Sequence, residues 1–246
     1  MRIKATTLAA ILVSPALAHA QPVHHLTITT ESSAPYSMRD GNRVTGIGTD
    51  IVREIMARTD TPYAIELQPW KRAYTSALER PDGCVYSTAR TPEREARFKW
   101  VGPIGEAEWV FIARADSKLK LNNLADARRY RIGTYNGDAR DQFLRAQGFN
   151  VDPAPNDLAN PRKLELGRID LWAASIRRGS RTLERLGYAN KMRPVFVFNR
   201  IRVYLACNRA VPDALVERLN GALEAMERDG TVRAILKRYE DWEPGG

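Results

Sequence analysis

The sequence predicts an α/β protein folded as two lobes. Three observations carry this. Short β-type runs alternate with amphipathic helical segments, the pattern of parallel sheets. The alternation runs through twice, once up to Gly105 and once after it. No short-period repeat or low-complexity stretch interrupts it.

In the first round, His25–Thr30 alternates like a strand and the polar turn Arg39-Asp-Gly-Asn42 follows. Ile51, Val52, Ile55 and Met56 then recur at helical spacing, with Thr49 or Asp50 placed to cap the helix. Ala64–Leu67 is the next strand, and Pro69 suits the first turn of a helix running through Leu78. The apolar run Cys84–Tyr86 is the third strand.

The second round opens with strands at Glu108–Ala113 and Arg131–Thr134. The turn Tyr135-Asn-Gly137 leads into a helix from Asp138 to Gln147, stopped by Gly148. A strand lies around Val151, and Asn160-Pro161 starts a helix that Gly167 ends. Ile169–Ala174 is apolar enough for a buried strand. Ser180 caps a short helix stopped by Gly187, and Val195–Phe198 and Arg202–Cys207 are two further strands. In the tail, Leu215, Leu219, Leu223 and Met226 mark a helix to Arg228. Gly230 ends it, and Thr231 opens another that carries Val232, Ile235, Leu236 and Tyr239.

The first twenty residues read as a cleavable signal peptide. Arg2 and Lys4 make a positive start, Ala5 to Leu17 is apolar, and Ala18-His19-Ala20 fits the cleavage pattern. That apolar run is shorter than the ~20 residues a membrane-spanning helix needs. Cleavage after Ala20 would release a periplasmic protein. Without Arg2 and Lys4 the chain keeps 36 basic residues against 29 acidic ones, a charge of +7. The arginines are scattered among acidic residues with no run of five like charges, so a solvated basic surface is expected and no nucleic-acid partner.

Cys84 and Cys207 are the two cysteines of an exported chain, so they form one disulfide or remain two free thiols. Neither sits in a C-x-x-C pair. The three histidines are His19, His24 and His25, all near the start. No metal site and no cofactor are expected, and no catalytic triad can be built on histidine.

The chemistry concentrates in Gly83-Cys-Val-Tyr-Ser-Thr-Ala-Arg-Thr-Pro-Glu-Arg-Glu95, followed by Trp100-Val-Gly-Pro-Ile104. A buried strand runs into the hydroxyls of Ser87 and Thr88, and then into Arg90 and Arg94. Arginine's planar fork holds both oxygens of a carboxylate. Strand ends that lead into helix N-termini are also where α/β proteins collect anions.

This stretch resembles the ligand-binding segment of bacterial periplasmic solute-binding proteins, family 3, the group of the polar amino-acid receptors of ABC importers. Further markers follow in the family's order across the chain. They are Ala34-Pro-Tyr36, Gly46-Ile-Gly-Thr-Asp-Ile51, Ile132-Gly-Thr-Tyr-Asn-Gly137, Gly167-Arg-Ile-Asp170 and Asp229-Gly-Thr231. The resemblance implies the type II periplasmic-binding-protein fold, two α/β lobes joined by two crossover hinge strands with a ligand cleft between them. Lobe 1 would be 21–105 with 201–246, and lobe 2 would be 106–200. It implies a monomer that captures a small carboxylate-bearing solute by hinge closure and hands it to a permease in the inner membrane. Relatives that resemble cyclohexadienyl dehydratases, and receptors for a membrane signalling partner, are the alternatives; Asp138 is the acid the dehydratase reading would use.

The resemblance also assigns residues. Arg94 matches the arginine that grips the ligand carboxylate; its alternative is a surface arginine paired with Glu93 or Glu95. Ser87 and Thr88 would donate hydroxyls or cap the strand end, and Arg90 would add a positive contact or face solvent. Tyr36 and Trp70 are aromatic walls or core, whereas Trp172 is assigned to the core. Two positions depart from the family. Asp138-Ala139 follow Gly137 where amino-acid receptors have hydroxylated residues, and Ser175 stands where the acid for the α-ammonium falls. A hydroxyl does not neutralise a buried ammonium. Either Asp138 supplies that charge, or it caps its helix and the ligand is not a standard α-amino acid. Finally, the family places the strands of Cys84 and Cys207 side by side and antiparallel, which favours the disulfide.

Overall fold

The computed structural model describes residues 25–176 and 182–240. The chain begins with β1 (Leu26–Thr30), which is buried on both faces and lies parallel to β4 (Tyr63–Leu67) and β5 (Gly83–Ala89). Between them come the hairpin strands β2 (Met38–Asp40) and β3 (Arg43–Thr45), then helix α1 (Ile47–Arg58). Helix α2 (Trp70–Glu79) joins β4 to β5, with Pro69 at its N-cap. The single turn α3 (Pro92–Glu95) follows β5.

Helix α1 differs from expectation at its start. It begins at Ile47, ahead of Thr49 and Asp50, and has no side-chain cap. Its first amides donate instead to the carbonyls of Pro35 and Tyr36, at 2.9 Å each. Gly46, at φ 120°, makes this possible, because a Cβ there would lie 2.6 Å from the Tyr36 carbonyl carbon. Thr49 is buried, and its hydroxyl meets that of Tyr86 at 2.6 Å.

The second round is β7 (Ile132–Tyr135), α4 (Ala139–Ala146), β8 (Val151–Ala154), α5 (Ala159–Glu165) and β9 (Leu171–Ile176). A short α6 (Thr182–Arg185) follows; the expected cap at Ser180 lies outside the described residues. The tail forms α7 (Asp213–Arg228) and α8 (Thr231–Arg238), divided by Gly230 in the left-handed region. Leu215, Leu219, Leu223 and Met226 are the buried face of α7, as their spacing predicts.

Two long strands hold the rounds together. β6 (Lys99–Arg114) and β10 (Met192–Cys207) are sixteen residues each and pair antiparallel from Lys99 opposite Cys207 to Arg114 opposite Met192. Sequence periodicity marks only pieces of them. Their middles carry Glu106, Glu108, Asn199, Arg200 and Arg202, where the strands leave one core for the next. Continuity there rests on mutual pairing and not on apolar alternation.

The sheet runs β4-β1-β5-β10-β6-β9-β7-β8. Read outward from the β10–β6 pair, each half has the third, first and second strands of its own round. This is the two-lobed α/β fold. One large apolar core gathers Ile28, Ile51, Ile55, Leu205, Leu219 and Met226 around the first round. A second gathers Phe111, Ile132, Leu144 and Leu171 around the other. Cys84 faces Cys207 across the β5–β10 register, and the two form a disulfide. No helix among the described residues is long and apolar enough to cross a membrane.

Candidate functional site

The carboxyl ends of β1 and β5 on one side, and of β7 on the other, meet where the two rounds face each other. Arg94 lies there. Thr91 and Pro92 open the four-residue α3, which leaves Glu93 and Glu95 exposed and turns Arg94 inward until it is only 1% exposed. It is therefore not a surface arginine paired with its neighbours. Its guanidinium carbon lies 4.8 Å from the ring centre of Tyr74 and 5.7 Å from that of Trp70, a cation–π cradle. Nη2 donates to the Gly137 carbonyl at 3.4 Å and to Gln142 Oε1 at 3.2 Å. Nε and Nη1 have no hydrogen-bond partner among the described residues. Burial lowers the pKa of Arg94, with Asp138 pulling the other way, but guanidinium remains charged. A buried cation with Nε and Nη1 unpartnered among the described residues is a receptor for an anion.

Trp70 supplies the junction between the two sides. Its backbone N–H donates to the Tyr135 hydroxyl at 3.0 Å, and its indole N–H donates to the Gly137 carbonyl at 3.2 Å. Gly137 adopts φ 77°, so its carbonyl can receive both Trp70 and Arg94. Tyr135 packs into the apolar cluster of Trp70, Val85 and Phe98, on the opposite side from its own strand.

Asp138 caps α4: its carboxylate accepts the Arg140 backbone N–H at 2.8 Å and the Arg140 Nε at 2.6 Å. Arg140 is itself buried, its side chain 4% exposed, and it also holds Asp157 at 2.9 Å and the Ala173 carbonyl at 3.1 Å. Burial pushes the Asp138 carboxyl up, but Arg140 more than offsets this and holds it below the usual range. Burial lowers Arg140, and the two aspartates raise it by more. Asp157 is fixed further by the Trp172 indole N–H at 2.9 Å. Trp172 is buried in the core, as expected.

The remaining predicted residues are less closely gathered. Thr88 is fully buried, and its hydroxyl donates to the Val85 carbonyl at 3.1 Å. Ser87 has φ 59° and a buried Oγ without a partner among the described residues; a non-glycine residue in that region is strained, and such outliers gather at functional sites. Arg90 is exposed, pairs with Glu95, and lies 5.5 Å from the rings of both Trp100 and Tyr204. Tyr36 packs against the core of the first round, and its hydroxyl donates to the Glu106 carbonyl at 3.5 Å. That contact borders a cavity of about 340 Å³ lined by Glu106, Ala107, Glu108, Arg200, Ile201 and Arg202. Ser175 is exposed on β9, in register with Trp109.

Sequence reasoning missed Glu31, Tyr135, Arg140, Gln142 and Asp157. Glu31 had a signal: it follows Thr30 at the end of the first strand, the same kind of place as Ser87 and Thr88. Burial, then Asp138 and Asp157, push its carboxyl up to about 8, with Arg140 and a hydrogen bond from the Tyr135 hydroxyl pulling it down.

The model of the bacterial extracellular solute-binding proteins, family 3, matches residues 26–241. The ABC transporter arginine-binding protein 1 of Escherichia coli (strain K12) is 27% identical over 165 residues, 64% of this chain. The chain spans 65% of that relative's length. Among solved structures, a histidine kinase sensor domain with similarity to periplasmic binding proteins superposes with a TM-score of 0.81 at 17% identity, covering 91% of this chain and all of the other. An arginine-, lysine- and histidine-binding protein from Geobacillus stearothermophilus gives 0.75 at 17% identity, covering 89% and 96% of the two chains. At such identities the likeness is one of fold.

Proposed function

The chain belongs to the bacterial extracellular solute-binding proteins, family 3, and from that membership we propose that it captures a small carboxylate-bearing solute, an amino acid or a related compound, and delivers it to an ABC importer. The lobes of this reading are 21–105 with 201–246, and 106–200, hinged where β6 and β10 cross between them. The protein works as a periplasmic monomer, released by cleavage after Ala20. Ligand bridges the lobes and stabilises the closed state through contacts with both. One observation carries the reading: Arg94 is buried at the junction, with Nε and Nη1 unpartnered among the described residues and Nη2 tied across to Gly137 and Gln142. The arginine-binding relatives support an amino acid as the cargo.

The likeness to a sensor domain supports a second reading, in which the closed form signals to a membrane partner. The dehydratase alternative is less well served. Its acid would be Asp138, which Arg140 keeps ionised and so a poor proton donor.

A thermal-shift screen of unfolded and refolded mature protein against amino acids, opines, organic acids and polyamines tests the proposal. A carboxylate-bearing compound at 100 times its Kd is expected to stabilise the protein by about 2.7 kcal/mol. Arg94→Met should abolish that shift while keeping a native circular-dichroism spectrum. If every stabilising compound lacks a carboxylate, or Arg94→Met binds as tightly as wild type, the reading is wrong.

A further inference from the structure

Trp70 and Arg94 of the first round donate four hydrogen bonds directly to the second. The Trp70 backbone N–H reaches the Tyr135 hydroxyl at 3.0 Å, and its indole N–H reaches the Gly137 carbonyl at 3.2 Å. Arg94 Nη2 shares that carbonyl at 3.4 Å and also donates to Gln142 Oε1 at 3.2 Å. Each bond joins two groups of the chain itself.

Trp70 is placed for this by its position in α2. It is the first residue of that helix, which has no side-chain cap of its own. The N–H groups of a first turn have no partner within their helix, so the Tyr135 hydroxyl caps α2 from the opposite round. The indole, 3% exposed, packs with Ala73, Val85, Phe98 and Tyr135, and its N–H points across to Gly137. Gly137, at φ 77°, turns its carbonyl to meet Trp70 and Arg94 together.

We propose that Trp70 is an inter-lobe latch and a positioning residue: its two N–H groups hold the second lobe against the first and keep the Gly137 carbonyl on Arg94. This rests on the hinged two-lobe reading above and not on what the ligand is. A closed form held in part by the chain's own bonds is populated in the free protein, and a ligand supplies only the remainder. Because Gly137 serves both residues, the latch also presets the guanidinium for the anion it receives. Opening uncaps α2 and releases the Gly137 carbonyl in one motion, so the two Trp70 bonds break together.

Hydrogen exchange of the mature, ligand-free protein, followed by NMR, tests this by reading each bond through loss of the other. Trp70→Phe removes the indole donor and keeps an aromatic ring and the backbone N–H. Tyr135→Phe removes the hydroxyl acceptor and keeps the ring. The residue 70 amide in Trp70→Phe, and the Trp70 indole N–H in Tyr135→Phe, should each exchange about two- to tenfold faster than in wild type. The amide of Leu219, on the buried face of α7, should keep its wild-type rate. The double variant, with a native circular-dichroism spectrum, should show a larger radius of gyration in X-ray scattering; if it does not fold, the single variants decide. Unchanged exchange at either reporter, or a folded double variant as compact as wild type, overturns the latch. So does equal acceleration of Leu219, which marks general destabilisation. No arm uses a ligand, so the latch can fall while the Arg94-dependent thermal shift holds. Faster exchange with no carboxylate-dependent shift would keep the latch and overturn the carboxylate reading.

Discussion

Arg140 meets from within the chain the demand that Arg94 leaves open for a ligand. Both are buried guanidinium groups, but Asp138 and Asp157 neutralise the first. Breaking a buried ion network from one side leaves its other charges stranded, which typically costs about 3–5 kcal/mol. Arg140→Met should therefore destabilise the protein by that amount in urea unfolding, because two carboxylates lose their partner. Of these groups, Arg94 was legible in the sequence because the segment that carries it, strand end to α3, is the one that carries the family resemblance. Arg140 was not, since Asp157 lies seventeen residues away and only the α4 turn brings them together. The cap at Asp138 was legible for the opposite reason: it is a bond to an amide two residues on.

At the scale of elements, the same contrast holds. The apolar spacing of α7 reads directly as its buried face, because a helix repeats its own geometry. β6 and β10 were legible only in fragments, because polar residues fill the stretch where they cross between cores. The pairing of β10 with β5 sets Cys84 opposite Cys207. The disulfide ties β5, the strand that leads to Arg94, to the end of β10, and closes a loop with a sequence separation of 123. In the chain-entropy model such a closure stabilises by at most about 5 kcal/mol. The double variant Cys84→Ser/Cys207→Ser should show a loss up to that size in chemical denaturation. It should still bind ligand under native conditions, because neither cysteine reaches the Arg94 site.

Over the whole molecule, the two rounds are pressed together by Trp70, Tyr135, Gly137 and Arg94, and that closeness brings Glu31 under the field of Asp138 and Asp157. A carboxyl held up to about 8 in the folded protein binds a proton that the unfolded chain releases near 4.5. Stability of the ligand-free protein should therefore fall as pH rises between those values, by at most about 1.4 kcal/mol per pH unit, and level off above them. Asp138 acts in the other direction: its lowered value adds stability that is present above 3.8 and disappears as acid protonates it. Melting temperatures of wild type and Glu31→Gln across pH 4 to 9 check this; the variant should lose the decline on the alkaline side.

The sequence by itself determined the two-lobed α/β architecture and the positions of most helices, and its resemblance to the family singled out Arg94 as a candidate anion-binding residue. These are local properties: periodicity, helix starts and stops, and the residue that follows a strand end are all written within a few positions of one another. The tertiary structure decided where the charge lies. Glu31, Arg94, the pair Asp138 and Arg140, and Asp157 come from four places along the chain, and whether each is already neutralised depends on distances that only the closed sheet and its two crossing strands impose. Coulombic and desolvation energies follow those distances and not the order of residues. So the sequence could point to a carboxylate grip, while the ion network of Asp138, Arg140 and Asp157 beside it became visible only in three dimensions.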